Sequence, residues 1–195
     1  MAKVYFERYP KGDDVINYVT KEPQQLGSRS ITAELAGAKT PLVYVGFHGP
    51  QLGSADFYAL DLLSMILSFG QSSRFNQNLV NPGLVTAASA YNPDARFATK
   101  FITMAVPALK DNGNGLDYAA LCDEAKDLLV AEIAAVQENG VTEKELNRVR
   151  TIAKRQFIDI MHDNDSLAYV LASYEVYLTH TYLNRYLAEL DKLTA

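Results

Sequence analysis

One cysteine, Cys122, and no tryptophan occur in the 195 residues. A lone thiol excludes an internal disulfide and any multi-cysteine metal cage, and it is compatible with either cytoplasm or periplasm. Long apolar runs are missing too: the longest extends from Phe101 to Leu109 with Thr103 inside it, about half of the ~18 consecutive apolar residues a membrane helix needs. The N-terminal stretch Met1 to Arg8 has no apolar core of the signal-peptide kind. There is no basic stripe, since 18 Lys and Arg against 23 Asp and Glu leave a formal charge of −5. Nucleic acid, whose phosphates require such a stripe, is not an expected partner, and neither is a membrane. What remains is a soluble globular chain, 48% hydrophobic, able to bury roughly 70% of its unfolded surface in one large or two small domains.

The order of elements is legible from periodicity. Residues 1–18 mix polar and aromatic residues around Pro10 to Asp14 without a sustained period and read as a connector. Ser30 to Leu35 alternates, and Pro41 to His48 is a short run of β-formers, so both read as strands, the second central in its sheet. From Ser54 or Ala55 to Gly70, Phe57, Leu60, Leu63, Ile66 and Leu67 fall on one helical face. Ser72 or Ser73 is placed to N-cap a short helix through Leu79, which Pro82-Gly83 stops. Leu84 to Tyr91 and Phe97 to Val106, separated by Asn92-Pro93-Asp94, read as a hairpin.

The second half is helical. Ala120, Leu121, Ala125, Leu128, Leu129, Ile133 and Val136 mark a helix from Asp117 to Glu138, closed by Asn139-Gly140 as a left-handed stop. Thr142 and Glu145 form a capping box for a helix to His162. A break at Asp163 to Asp165 precedes a helix through Tyr177 and a last one from Tyr182 to Leu193. Strands, helix, hairpin, then helices imply an α+β domain with helices packed on one face of a sheet.

Chemistry is scarce in these patterns. The three histidines, His48, His162 and His180, have no second histidine or glutamate at zinc-motif spacing, so neither H-E-x-x-H nor H-x-x-E-H is present. Asp159, Asp163 and Asp165 around His162 could attract a cation, although helix-end polarity accounts for them. No nucleophile elbow surrounds Ser72 or Ser73, and Cys122 falls near an apolar stripe, where cysteine is usually a small hydrophobe. Asp111 to Gly115 lacks the ligand order of an EF-hand and reads as a solvated connection. Tyr174, Tyr177, Tyr182 and Tyr186 recur at helical spacing, which suits an interface.

Taken as a set, several blocks resemble the pitrilysin/insulinase zinc metallopeptidases, the family of mitochondrial processing peptidase. They are Glu22 to Arg29, Pro41 to Pro50, Asp56 to Leu63, Gly70 to Phe75 and Asn139 to Leu146, with Tyr5-Phe6 similar to the inter-lobe connector. The resemblance implies a mitochondrial processing peptidase-like metallohydrolase lobe over residues 19–195, after a connector at 1–18, in a clamshell built of repeated α+β lobes. It matches a second lobe, which lacks the zinc motif. The family's substrate-holding Arg and Tyr fall on Val80 and Thr86, so no catalytic or metal-binding residue carries over. Arg74, Asn78, Thr86 and Tyr91 are the expected peptide-chamber contacts.

Zinc is expected in the parent protein and not on this chain. The expected partners are the zinc-bearing lobe or a partner subunit, and a peptide substrate. The chain begins at the connector and stops at Ala195, before a helix with which the family continues, which implies a domain of a longer bacterial zinc peptidase. Uncovered lobe-contact surface would then favour a homodimer in isolation. The alternative is a lobe of a catalytically inactive member acting as a scaffold.

Overall fold

The computed structural model describes residues 2–10, 12, 19–20, 23, 25–110 and 115–195. Much of the expected connector, the start of the Glu22 block and most of the Asp111 to Gly115 connection lie outside the described residues. The chain divides into two units, Met1–Gly37 and Ala38–Ala195.

In the first unit, Ala2–Phe6 forms a short helix, α1, where the sequence reads as irregular. The Glu7 and Tyr9 amides extend it by donating to the Lys3 and Phe6 carbonyls, both at 3.1 Å. The strand expected over Ser30 to Leu35 is absent: that segment pairs with no strand among the described residues, and Ile31 and Leu35 are 93% and 79% exposed. Alternation supplies a sheet face, but a strand also needs a partner for its backbone groups.

The second unit is built on an antiparallel sheet of β1 (Val43–Gly49), β2 (Val85–Tyr91) and β3 (Thr99–Pro107), in the order β1-β3-β2. The hairpin strand β3 is therefore central, and β1, expected in the middle, lies at an edge among the described residues. Alternation turns Val43, Phe101, Thr103, Ala105, Val85 and Ala90 toward the helices, where all are buried. The other face carries Tyr44, Gly46, His48, Lys100, Ile102, Met104 and Tyr91.

Helices cover one face of the sheet in two tiers. Helix α2 (Ala55–Ser68) packs on β2, and α3 (Tyr118–Asn139) on β3 and β1. Helices α4 (Glu143–His162) and α6 (Leu183–Lys192) pack on α2, with α5 (Asn164–Tyr177) beside α4. Helix α2 is thus buried on two sides, not one. Leu60, Leu63 and Leu67 join the core under the sheet, while Phe57, Tyr58, Leu62 and Ile66 join a second core with Leu146, Val149, Tyr182 and Leu190. Cys122 is half-buried against the first core, as a small hydrophobe.

Local chemistry fixes the helix ends. Asp117 accepts from the Ala120 amide at 3.0 Å, and Thr142 with Glu145 forms the reciprocal capping box the sequence announces. Gly140 closes α3 at φ 68°, ψ −161°, not in the left-handed helical region but in an extended positive-φ one that is essentially glycine-only.

Candidate functional site

The residues expected to face a peptide fall in two places. Arg74 precedes and Asn78 lies within a π-helical turn, Asn76–Val80, closed by Asn81 N–H donating to the Asn76 carbonyl at 2.8 Å. The buried Ser73 hydroxyl before it accepts the Asn76 side-chain amide at 3.0 Å, in place of the backbone cap the sequence suggests. The turn aims Arg74 across to the α3–α4 junction. Its Nε donates to Glu145 Oε1 at 2.7 Å and its Nη2 to Glu145 Oε2 at 2.9 Å, with a further bond to the Gly140 carbonyl at 3.0 Å. The Arg74 guanidinium, helped by the Thr142 amide and hydroxyl, holds the Glu145 carboxyl down at about 2. Asn78 donates to both Glu132 oxygens, at 3.0 and 3.1 Å. With Ser72 and Gln77 these four side chains line an open recess of about 320 Å³.

Thr86 and Tyr91 lie on β2, at the opposite edge of the sheet from β1. Thr86 occupies a bulge, where the register shifts between Val85 and Ala87, and its hydroxyl donates to the Pro107 carbonyl at 3.5 Å. Val80, the other position carried over from the family's substrate-holding pair, packs against the core under the sheet. Tyr91 stands on the uncovered face opposite Ile102. That face, with rows Tyr44-Met104-Ser89 and Gly46-Ile102-Tyr91, is the feature that reading residue by residue misses. The signal was available as the alternate positions of β1 and β3, once the helix-covered face is known.

A third arrangement binds the last helices. Tyr186 of α6 donates to Asp61 of α2 at 2.5 Å, and Tyr174 of α5 to Asp94 of the β2–β3 connection at 3.1 Å. Burial pushes the Asp61 carboxyl up to about 6, against the Tyr186 bond and with added repulsion from Asp94. Tyr58, Tyr174, Tyr182 and Tyr186 stack around it, with ring centroids 4.8 Å apart for Tyr174 and Tyr182. Of the tyrosines that suit an interface by spacing, Tyr174, Tyr182 and Tyr186 thus belong to an internal stack, and Tyr177 packs against the second core.

The described residues assemble no zinc site. Among the described residues no three His, Cys, Asp or Glu side chains come together to hold a metal. His48 lies on the uncovered face of the sheet, His162 ends α4, and His180 Nδ1 meets Glu175 Oε2 at 2.7 Å on the exposed surface. No helix among the described residues is long and apolar enough to cross a membrane.

Comparison with known proteins supplies what the geometry leaves open. The family described as the peptidase M16 inactive domain matches residues 1–153. The zinc protease PqqE of Helicobacter pylori is 27% identical over 180 residues, which are 90% of this chain and 38% of that protein. A crystal structure of a protease from Helicobacter pylori superimposes with a TM-score of 0.83 at 25% identity, covering 98% of this chain and 45% of the other. The inactive peptidase domain of a Bordetella parapertussis protein shares the fold, with a TM-score of 0.67 at 21% identity over 84% of each chain. This chain thus spans less than half the length of the two Helicobacter proteins. With the inactive-domain model matching residues 1–153, the chain belongs to the pitrilysin-type M16 peptidase family, as its inactive domain.

Proposed function

We propose that this chain is the non-catalytic lobe of a zinc endopeptidase, packing on the zinc-bearing lobe and walling one side of the chamber that holds an extended peptide. The observation that carries the reading is the bare face of the sheet: among the described residues of the second unit, helices pack on one side only, with Tyr44 60% and Tyr91 46% exposed on the other. An uncovered face of packed small and aromatic side chains, with free backbone groups at both edges among the described residues, suits an extended chain better than a folded small molecule. Residues 1–18 serve as the connector between lobes and 19–195 as the lobe.

In this reading zinc on the other lobe activates the attacking water, while this chain binds and orients the peptide. Tyr91 contributes from the face and Thr86 from the bulged edge. Arg74 and Asn78 shape the separate recess beside the α3–α4 junction, where a peptide group has to compete with Glu145 and Glu132 for their donors. In isolation the uncovered face drives self-association, which light scattering at rising concentration detects.

The test is zinc content and peptidase activity of this chain alone and joined to the zinc-bearing half of its parent. Zinc and activity that require the other half support the proposal. Zinc bound by the 195 residues alone overturns it. Neither zinc nor activity in the joined protein makes the parent a scaffold and overturns the peptidase reading.

A further inference from the structure

We propose that the bare face of the sheet reads its peptide through a side-chain notch at Gly46 beside a basic corner made by His48 and Lys100, selecting extended segments with an apolar residue two positions from a carboxylate. The inference deepens the chamber reading and rests on it.

The notch follows from the strand itself. Gly46 faces outward between Tyr44 and His48 on β1, with Ile102 opposite it on β3 and Tyr91 beyond on β2. A Cβ built at Gly46 meets nothing within 4 Å, so the missing side chain leaves the strand open there, with Ile102 at the paired position and Tyr44 two residues along on the same face. Glycine is a poor strand former, because it gives up more chain entropy than any other residue and packs against nothing. Its ordinary structural reasons are lacking here: Gly46 has no positive φ, and no backbone crowds its Cβ position. An open position in one row with Ile102 and Tyr91, and next to Tyr44, suits an apolar side chain from outside.

The corner follows from register and charge. His48 pairs with Lys100 across β1 and β3, one row beyond Gly46. Both are exposed, and neither has an ion pair among the described residues. The outward positions of the three strands, from Tyr44 to His48, Lys100 to Val106 and Ala87 to Tyr91, include no acid. A chain of net charge −5 thus presents a cationic pair among the outward strand positions of this face.

Rows on one face of a strand are two residues apart, about 6.7 Å. An extended peptide has the same spacing, so a side chain in the notch places the second residue along, or a C-terminal carboxylate, over Lys100. Lys100 supplies the positive charge that a carboxylate pairs with, and His48 lies beside it across the strands.

The experiment is fluorescence anisotropy with the full chain and three labelled decapeptides, carrying Leu-Ala-Glu, Leu-Ala-Lys or Ser-Ala-Glu at the centre, at low and moderate salt. The proposal expects Leu-Ala-Glu to bind at least tenfold more tightly than either other peptide, with the advantage over the lysine peptide shrinking as salt rises. Gly46→Val fills the notch with a good strand former and should keep the fold, as checked by its melting temperature, while weakening Leu-Ala-Glu at least tenfold. Lys100→Glu should invert the charge preference.

Equal binding of the three peptides, unchanged by Gly46→Val, overturns the notch while leaving the chamber reading standing. Binding of none, with Tyr44 and Tyr91 protected from surface labelling only when the zinc-bearing half is present, makes the face a lobe contact and overturns both. A concentration-dependent dimer that Gly46→Arg abolishes, again with no peptide bound, assigns the face to a second copy and overturns the notch.

Discussion

The Tyr186 hydroxyl and the Asp61 carboxylate meet at 2.5 Å across 125 positions of sequence. Together with Tyr174 and Asp94 at 3.1 Å, they fasten the last two helices to α2 and to the β2–β3 connection. Each bond pairs an aromatic hydroxyl from the C-terminal helices with an acid from the body. The inner tier of helices and the loop at one end of the sheet are thereby tied to the outer tier, which holds the bare face on a rigid support.

The carboxyl of Asp61 makes stability depend on pH. It sits at about 6 in the fold against an ordinary 3.8, so between those values the folded chain keeps a proton that the unfolded chain releases. The contribution is fully present below the unfolded value and is lost as pH rises through about 6. Integrated from pH 4.5 to 7.5, the expected loss is about 2 kcal/mol. Asp61→Asn keeps an acceptor for Tyr186 and should flatten that dependence. Urea unfolding of the two proteins at both pH values checks it, and an equal pH dependence in the variant counts against the assignment.

Arg74 and Glu145 should behave as one structural unit. The pair joins the π-helical turn to the α3–α4 junction by two charge-assisted bonds between partly buried side chains, 18% and 22% exposed. Arg74→Ala should cost on the order of 1–3 kcal/mol, because it also leaves the Gly140 carbonyl without this donor. Glu145→Gln keeps an acceptor for the Thr142 amide and should cost less than Glu145→Ala, which removes the capping box as well. Since Glu145 is held near 2 against 4.5, its stabilisation is present above pH 4.5 and is lost as pH falls toward 2. Chemical denaturation of the three variants at pH 7 gives the ordering.

Gly140 is required by its backbone. At φ 68° and ψ −161° it occupies a region in which a Cβ is strained, although nothing lies within 4 Å of that position. Gly140→Ala should therefore destabilise by about 1–3 kcal/mol without any steric contact to blame. Gly140→Asn should not rescue it, because asparagine tolerates the left-handed helical region and not this one. Full rescue by asparagine in a thermal melt would show that ψ, not φ alone, had been misassigned.

What could be read from the sequence was what local chemistry decides. The capping box at Thr142 and Glu145 and the helices on either side of it follow from side-chain spacing, and the hairpin follows from two β-forming runs around Asn92-Pro93. Misreadings arose where a distant partner decides. Ser30 to Leu35 alternates but finds no partner strand among the described residues. The run from Leu42 to Phe47 looks buried on both sides, yet β1 is an edge strand and Tyr44 is an exposed aromatic. Helix α2 shows one apolar stripe in projection because Tyr58 and Leu62 lie off it, and the second tier of helices buries them. Asp61 carries no motif of its own, and only the arrival of Tyr186 from the far end of the chain gives it a role. Of the expected peptide contacts, the register sets Tyr91 on the bare face, whereas Gly46 acquires meaning only from the register that sets Ile102 opposite it.

Two glycines of one strand should respond in opposite ways to the same substitution. At Gly49 a Cβ would lie 3.1 Å from both the Lys100 carbonyl carbon and the Phe101 nitrogen, which are backbone atoms of the central strand. They can yield only if β1 moves away from β3. Gly49→Ala should therefore cost on the order of 1–3 kcal/mol, in the range of other overpacked sites. At Gly46 the same Cβ meets open space, and alanine removes chain entropy from the unfolded state, so Gly46→Ala should be neutral or stabilising by up to about 1 kcal/mol. Urea midpoints for the two variants decide the matter. Comparable losses at both positions would mean that the outer face at Gly46 is as crowded as the inner one, and a face that crowded could not admit a peptide side chain.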